Sequence, residues 1–215
     1  MFGPDGAGKS THVELLVRYL NENGVKAKKI WVRSPHTLAF LIWGLLRRLG
    51  KYSVETNHLG KEFYRPRIRT RLSRNVWGFI ELISMLPHLF GAYFLIKRGY
   101  LLVAERYVID SIATIAYYLD DRSFIAGHTA KLLLKFLPLN SVLIFLDATY
   151  DVIARRRGAI AEPMTFIEMQ RYAYHYYSKI FGCDTIYTEN YSVQASHQMI
   201  LDIIHSRLQS ASCSN

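Results

Sequence analysis

Residues 3–10 read Gly3-Pro4-Asp5-Gly6-Ala7-Gly8-Lys9-Ser10 and match the pattern of a glycine, four residues of any type, a glycine, a lysine and a serine or threonine. Glycines in such a loop let successive backbone N–H groups point into one concavity that holds phosphate oxygens. Apolar residues at helical spacing follow in Thr11–Asn23, and the positive end of that helix faces the same anion. These residues predict a phosphate-binding loop, or P-loop.

Each polar residue of this loop has an expected role. Lys9 reaches the β- and γ-phosphates of a nucleoside triphosphate, and the Ser10 hydroxyl ligates Mg²⁺. The loop therefore predicts ATP and Mg²⁺ as ligands, with Lys9 exposed while no nucleotide is bound. The alternative is a glycine turn that begins a helix and leaves Lys9 solvated. The residues predicted to contact ATP are Gly3, Pro4, Asp5, Gly6, Ala7, Gly8, Lys9, Ser10 and Thr11.

Length and composition predict one globular domain, residues 1–215, of which half are hydrophobic. Lysine and arginine number 27 against 17 acids, a net charge of +10, which favours anionic partners such as nucleotides, nucleic acid or acidic lipid. Cys183 and Cys213 lie far apart, so neither a disulfide framework nor a zinc site is indicated. No signal peptide precedes the P-loop, so a cytoplasmic location is expected.

Short apolar runs alternate with helical patterns, which is typical of an α/β fold with a parallel sheet. The predicted strands are Lys28–Arg33, Tyr100–Ala104, Ser141–Leu146 and Asp184–Thr188, and Lys51–Gly60 is predicted to be a loop. A P-loop normally follows a buried central strand, but only Met1 and Phe2 precede Gly3. We therefore expect most of the first strand to lie upstream of Met1.

The most apolar stretch, Val76–Ile96, has the length of a membrane span but contains Glu81, Pro87 and His88. The expected structure is a pair of buried helices broken near Pro87, with membrane-surface association as the alternative. A basic cluster, Lys61–Arg74, precedes this stretch. Such a cluster is usually a loop exposed to solvent, but Arg71 and Arg74 are also candidates for binding the phosphate of an acceptor.

Glu105-Arg106-Tyr107 follows the strand Tyr100–Ala104. The carboxyl ends of strands in a doubly wound sheet open onto the ligand crevice. A carboxylate there can hold the water shell of a metal, and an arginine can stabilise charge on a transferring phosphoryl group. Beside a P-loop, Glu105 is predicted to hold Mg²⁺ with Ser10, and Arg106 to be catalytic. A surface ion pair at a strand end is the alternative.

The P-loop, Glu105-Arg106-Tyr107, the strand ending at Asp147 and the run Arg155–Arg157 stand in the order seen in the thymidylate kinase family, which this chain resembles. The resemblance implies a doubly wound parallel sheet of five strands, in the order 2-3-1-4-5, flanked by helices. It also implies ATP, Mg²⁺, an acceptor-binding segment at residues 34–99 and a lid at residues 155–163.

The resemblance also implies roles for single residues. Asp5 approaches the acceptor sugar, Arg33 binds the acceptor, and Arg106 matches the arginine of the family's aspartate-arginine motif, whose aspartate is replaced by Glu105. Ser111 matches part of the base-reading segment, whose amide is replaced by Ile115, so relaxed base specificity is expected. The predicted lid arginines are Arg155, Arg156 and Arg157.

Together these observations predict ATP-dependent phosphoryl transfer to a small-molecule phosphate acceptor, a nucleoside monophosphate such as thymidylate. One alternative is a P-loop kinase for a sugar or lipid-linked acceptor, consistent with the apolar stretch. The other is a nucleotide-dependent protein without enzymatic activity that binds nucleic acid or a membrane surface. A homodimer is compatible with each of these predictions.

Overall fold

The computed structural model describes residues 1–32, 34, 37–68, 70–138, 140–158 and 161–212, without the side chains of residues 71, 72 and 208–212. The helices are α1 (Lys9–Glu22), α2 (Thr37–Arg48), α3 (Arg71–Lys97), α4 (Val108–Leu119), α5 (His128–Leu134), α6 (Tyr150–Arg157), α7 (Met164–Phe181) and α8 (Val193–Ser212). The strands are β1 (Ala27–Trp31), β2 (Tyr52–Thr56), β3 (Glu62–Pro66), β4 (Leu101–Arg106), β5 (Ile144–Asp147) and β6 (Asp184–Tyr187). The predicted α/β class is confirmed.

Two parallel strand pairs, β1 with β4 and β5 with β6, enclose the first residues of the chain. The amino group of Met1 donates to the Ala104 carbonyl at 3.0 Å. On the other side, Phe2 N–H donates to Ile144 O at 3.0 Å and Leu146 N–H donates to Phe2 O at 2.9 Å. Met1 and Phe2 thus lie between the two pairs, which otherwise form separate sheets. The order 2-3-1-4-5 for one continuous sheet remains a prediction.

The segment predicted as a loop, Lys51–Gly60, contains β2, which pairs antiparallel with β3. That prediction was wrong. Neither face of β2 is fully buried, and Val54 is 45% exposed. A strand without a buried face needs no alternation of apolar and polar residues, so the sequence carries little sign of it.

The predicted pair of helices broken at Pro87 is a single helix, α3, that continues through the proline. Proline removes one backbone hydrogen bond, which frees the carbonyl of Ile83. Ile83 is 41% exposed and Pro87 is exposed as well, so water can hydrate this carbonyl. Thr70 caps the start of α3, where its hydroxyl accepts from Ser73 N–H.

The core lies where α4 packs against α7 and α7 packs against β5. All four residues of β5 are buried, and nearly every residue of α4 is buried too. The carboxyl ends of both β4 and β5 contact the P-loop: Glu105 and Arg106 pair with Ser10 and Asp5, and the Leu146 carbonyl lies against Gly3. This arrangement brings the end of β4 to the phosphate-binding turn.

Candidate active site

The P-loop turn is held against β5 by a close backbone approach at Gly3. Gly3 has φ of 154°, and a β-carbon there would collide with the carbonyl oxygen of Leu146. Gly8 has φ of 85° and caps α1 in the left-handed region that favours glycine. The predicted loop-to-helix junction is therefore present, and α1 begins at Lys9 directly after it.

Lys9 is folded back over its own loop. Its ammonium lies 2.6 Å from Gly3 O, 2.8 Å from Pro4 O and 3.5 Å from Asp5 Oδ1. The side chain is 3% exposed, so the expectation of an exposed lysine was wrong. The loop carbonyls hold the ammonium near the place where phosphates would bind, and a nucleotide would exchange those carbonyls for phosphate oxygens.

Arg106, the last residue of β4, joins two buried acids. Its Nη2 forms an ion pair with Asp5 Oδ1, and its Nη1 lies 3.6 Å from Asp110 Oδ1. Tyr174 of α7 donates to Asp110 Oδ1 at 3.1 Å. Asp5, Arg106 and Asp110 are each at most 6% exposed. These ion pairs hold the guanidinium at the P-loop, because moving it away would leave two buried carboxylates with too little positive charge beside them.

Glu105 precedes Arg106 in β4 and contacts Ser10, in the first turn of α1, whereas Arg106 contacts Asp5. Its Oε1 accepts a hydrogen bond from the Ser10 hydroxyl, and its Oε2 lies 2.5 Å from Lys29 Nζ. Burial raises the pKa of Glu105, but hydrogen bonds from Lys29 and Ser10 and the charges of Lys29 and Lys9 outweigh burial and lower it. Glu105 is therefore an anion at neutral pH.

The oxygen atoms of Ser10 and Glu105 fit a magnesium site. Among the described residues, no three His, Cys, Asp or Glu side chains are grouped closely enough to form a metal cage. Mg²⁺ is commonly held by one or two protein oxygens together with substrate phosphates and water. A hydroxyl and an ionised carboxylate in contact at a P-loop have the right chemistry for that kind of site.

The three consecutive arginines do not share one environment. Arg156 donates to Gly6 O at 3.2 Å and, through Nη2, to Thr188 O at 2.9 Å. Arg157 packs its stem beside Gly6 and pairs with Glu162 at 3.2 Å. Arg155 is exposed. All three lie in the last turn of α6, and Arg156 and Arg157 contact the P-loop.

One cavity of about 380 Å³ brings these groups together. The P-loop and the start of α1 form one wall, Glu105 and Arg106 a second, and Arg156 and Arg157 a third. The residues after β6 complete the lining with Thr188, Tyr191, Val193 and Ser196. His12 also lines the cavity, and burial together with the charge of His197 lowers its pKa to about 4, so its imidazole is neutral at pH 7.

Several residues that contact the site were not predicted as site residues. The Gln170 side chain accepts from Asp5 N–H at 3.4 Å, and Tyr174 reaches Asp110 from the same helix. Lys29 pairs with Glu105. The sequence pattern of α7 indicates core packing. The polar side chains of this helix become part of the site only because the folded chain places α7 over the P-loop.

The residues predicted to bind the acceptor are only partly described. Arg33 and the side chain of Arg71 lie outside the described part of the chain. Arg74 pairs with Asp121 at 3.4 Å. Ser111 is fully buried, and Ile115, predicted to face the acceptor base, is fully buried in the hydrophobic core. Acceptor binding by Arg33, Arg71, Arg74 and Ser111 remains a prediction.

Asp147 is the last residue of β5. Arg171 binds it through two nitrogens at 3.0 and 2.9 Å, and His175 Nε2 lies 3.1 Å from Oδ2. The carboxylate is fully buried. These contacts satisfy both oxygens and favour a structural role that ties α7 to β5.

Glu81, on α3, is a further buried acid. Its carboxyl faces the Ser34 hydroxyl and the Trp77 indole nitrogen. Burial raises its pKa to about 7 from the ordinary 4.5, and these two neighbours only partly oppose the shift. The side chain is fully buried, so ionisation above pH 7 places a charge inside the protein.

We expect Glu81→Gln to stabilise the protein at pH 8 and to change stability little at pH 5. The folded state binds the extra proton between pH 4.5 and about 7, so stability falls as pH rises through that window. The glutamine removes this loss, worth about 3 kcal/mol in the free energy of unfolding at pH 8. Urea unfolding at both pH values tests it, with exposed Glu168→Gln as the control. An equal effect at both pH values would contradict the burial of an ionising carboxyl.

Comparison with known proteins gives the fold but no family assignment. The chain is similar to the structure of thymidylate kinase from Candida albicans, with a TM-score of 0.57 and 16% identity over 95% of this chain and 89% of that chain. No family model and no curated protein matches the sequence. The similarity confirms a thymidylate kinase-like α/β fold.

Proposed function

We propose that the protein transfers the terminal phosphoryl group of ATP to a nucleoside monophosphate, with thymidylate as the first acceptor to test. The observation that carries the proposal is the single cavity in which Lys9, Ser10, Glu105 and Arg106 meet. Two further cations, Arg156 and Arg157, line the same cavity. Phosphoryl transfer needs positioning and neutralisation of charge, which this constellation supplies.

Each residue would contribute to one in-line displacement. The bond between the γ-phosphorus and the bridging oxygen breaks, a bond to an acceptor phosphate oxygen forms, and ADP leaves. Lys9 would neutralise the β- and γ-phosphates, while Arg156 and Arg157 would face the developing charge. Arg106 would be held in place by Asp5 and Asp110. No strong general base is needed, because the acceptor oxygen is already ionised.

Ser10 and Glu105 would hold Mg²⁺, directly or through water. A bound Mg²⁺ would neutralise charge on the β- and γ-phosphate oxygens. Lys29 pairs with Oε2 of Glu105, and this contact orients Oε1 toward the Ser10 hydroxyl.

We expect Glu105→Gln to raise the Mg²⁺ concentration for half-maximal activity at least about tenfold, because the anion that favours the cation is lost. Calorimetry should show weaker binding of Mg²⁺–ATP and unchanged binding of ATP without metal. The matched control is Glu14→Gln, since Glu14 also pairs with Lys29, at 3.3 Å, but its side chain is 69% exposed. Equal Mg²⁺ dependence of parent and Glu105→Gln would contradict the metal role.

A panel of acceptors tests the proposed reaction. Release of ADP from ATP is measured with thymidylate, other nucleoside monophosphates, nucleosides, sugars and a polyprenol. We expect release with monophosphates and a preference for thymidylate of no more than about a hundredfold, since the sequence predicts no amide that reads the base. The similar Candida albicans enzyme is described as having broad substrate specificity. Release with a sugar or polyprenol, and none with monophosphates, would contradict the proposal.

A lipid-linked acceptor is the second candidate, favoured by one observation. The segment predicted to bind the acceptor carries exposed apolar side chains on α2 and α3, among them Leu41 at 69% and Phe90 at 62% exposure. The polyprenol in the panel tests it directly.

A further inference from the structure

Helix α3 carries a stripe of exposed apolar side chains on the side away from the core. Val76, Phe79, Ile83, Phe90 and Phe94 are between 41% and 62% exposed. At 3.6 residues per turn, these positions fall within an arc of about 60° and extend over roughly 27 Å. Such an arrangement is an unbroken apolar ridge along one side of the helix.

Helix α2 carries a similar stripe and lies beside α3. Leu38, Leu41 and Leu45 are between 44% and 69% exposed and recur at helical spacing. The two helices are joined at Ser84, whose hydroxyl accepts from Ala39 N–H at 2.9 Å. We call these two stripes together the α2–α3 face. Exposed apolar side chains grouped in this way mark an interaction site.

Charge identifies the chemistry of the partner. Glu81 is the only carboxylate in either helix, and it is fully buried. The ends of the helices are basic, with Arg47 and Arg48 at the end of α2 and Lys97 at the end of α3. The face is thus apolar along its length, cationic at its ends, and free of exposed acids from these helices.

The cations at the end of α3 lie against aromatic rings. Lys97 Nζ is 5.4 Å from the centre of the Tyr93 ring, and the Arg98 guanidinium is 4.2 Å from the centre of the Phe94 ring. Aromatic rings beside lysine and arginine suit the boundary of a membrane, where the rings enter the acyl region and the charges meet headgroup phosphates.

We propose that the α2–α3 face binds the surface of a membrane that contains anionic lipids. By length and composition α3 could span a bilayer, but its other side is packed into the core through Trp77, Met85 and Leu89, so it lies on the surface. A second copy of the chain fits less well, because a symmetric contact would bring the cationic ends of both faces together without acids from these helices to pair them. The proposal does not rest on the P-loop cavity, since none of the residues that line that cavity lies on α2 or α3.

Sedimentation with lipid vesicles tests the proposal on the full chain. We expect binding to phosphatidylcholine vesicles containing about 30% phosphatidylserine and much weaker binding to phosphatidylcholine alone. Phe79→Ser with Phe90→Ser should lower binding at least about tenfold. Lys97→Gln with Arg98→Gln should lower binding to the anionic vesicles by about tenfold and leave the neutral ones unaffected.

The control pair is Leu132→Ser with Ile180→Ser, two side chains that are 43% and 56% exposed on other helices. It should bind vesicles like the parent, and urea unfolding should show that all variants fold. Absence of vesicle binding by the parent would overturn the proposal, as would equal losses in the control pair. A dimer that the Phe79 and Phe90 changes dissociate, without vesicle binding, would assign the face to a second copy instead.

Discussion

Replacing Lys9 by alanine is expected to lower the rate of phosphoryl transfer by about a thousandfold or more. In well-studied enzymes, removal of one donor or fixed charge that stabilises the transition state lowers the reaction rate by about two to three orders of magnitude. The Lys9 ammonium lies within the P-loop, 2.6 Å from Gly3 O and 2.8 Å from Pro4 O. The measurement is ADP release with saturating ATP and acceptor.

The same change should also destabilise the protein, which the sequence did not indicate. The Gly3 and Pro4 carbonyls lose a charged donor, and Asp5 loses a cationic partner. We expect a loss of about 1–3 kcal/mol in the free energy of unfolding. Lys26→Ala, at an exposed lysine, is the control and should change neither quantity. Turnover by a folded Lys9→Ala protein within a few-fold of the parent would remove the P-loop from the proposed reaction.

Arg106→Met should have the largest effect on stability. It removes the guanidinium between Asp5 and Asp110, each 1% exposed, and leaves both carboxylates buried. Breaking a buried ion pair by removing one partner costs about 3–5 kcal/mol, which lowers Tm by roughly 6–20 °C in a chain of this size. Urea unfolding and thermal unfolding at pH 7 measure it.

A double-mutant cycle assigns the loss to the buried charge. Asp110→Asn added to Arg106→Met removes one of the two buried carboxylates that have lost the guanidinium, so it should restore part of the stability, by about 1 kcal/mol or more. Asp110→Asn alone should destabilise, because Arg106 then loses a partner. Additive losses in the double variant would mean that Arg106 acts through packing instead of charge.

The predictions that failed share a physical cause. The strand β2 was missed because it has no buried face, and α3 was divided at Pro87 because the sequence does not tell which side of a helix meets water. Lys9 was expected to be exposed because the carbonyls that hold it come from the loop's own fold. In each case the deciding quantity was the exposure of a residue, which depends on neighbours distant in the chain.

The sequence alone determined the features that rest on local backbone chemistry. The glycines of residues 3–8, followed by Lys9 and an amphipathic run, specify the P-loop and α1, since positive φ and a helix start depend on adjacent residues only. Tertiary structure alone decided which side chains meet that loop. Arg106 of β4 and Gln170 of α7 both reach Asp5, and Glu105 of β4 reaches Lys29 of β1, over separations of 101, 165 and 76 positions in the chain. Burial makes those pairings strong, and burial is a property of the assembled fold.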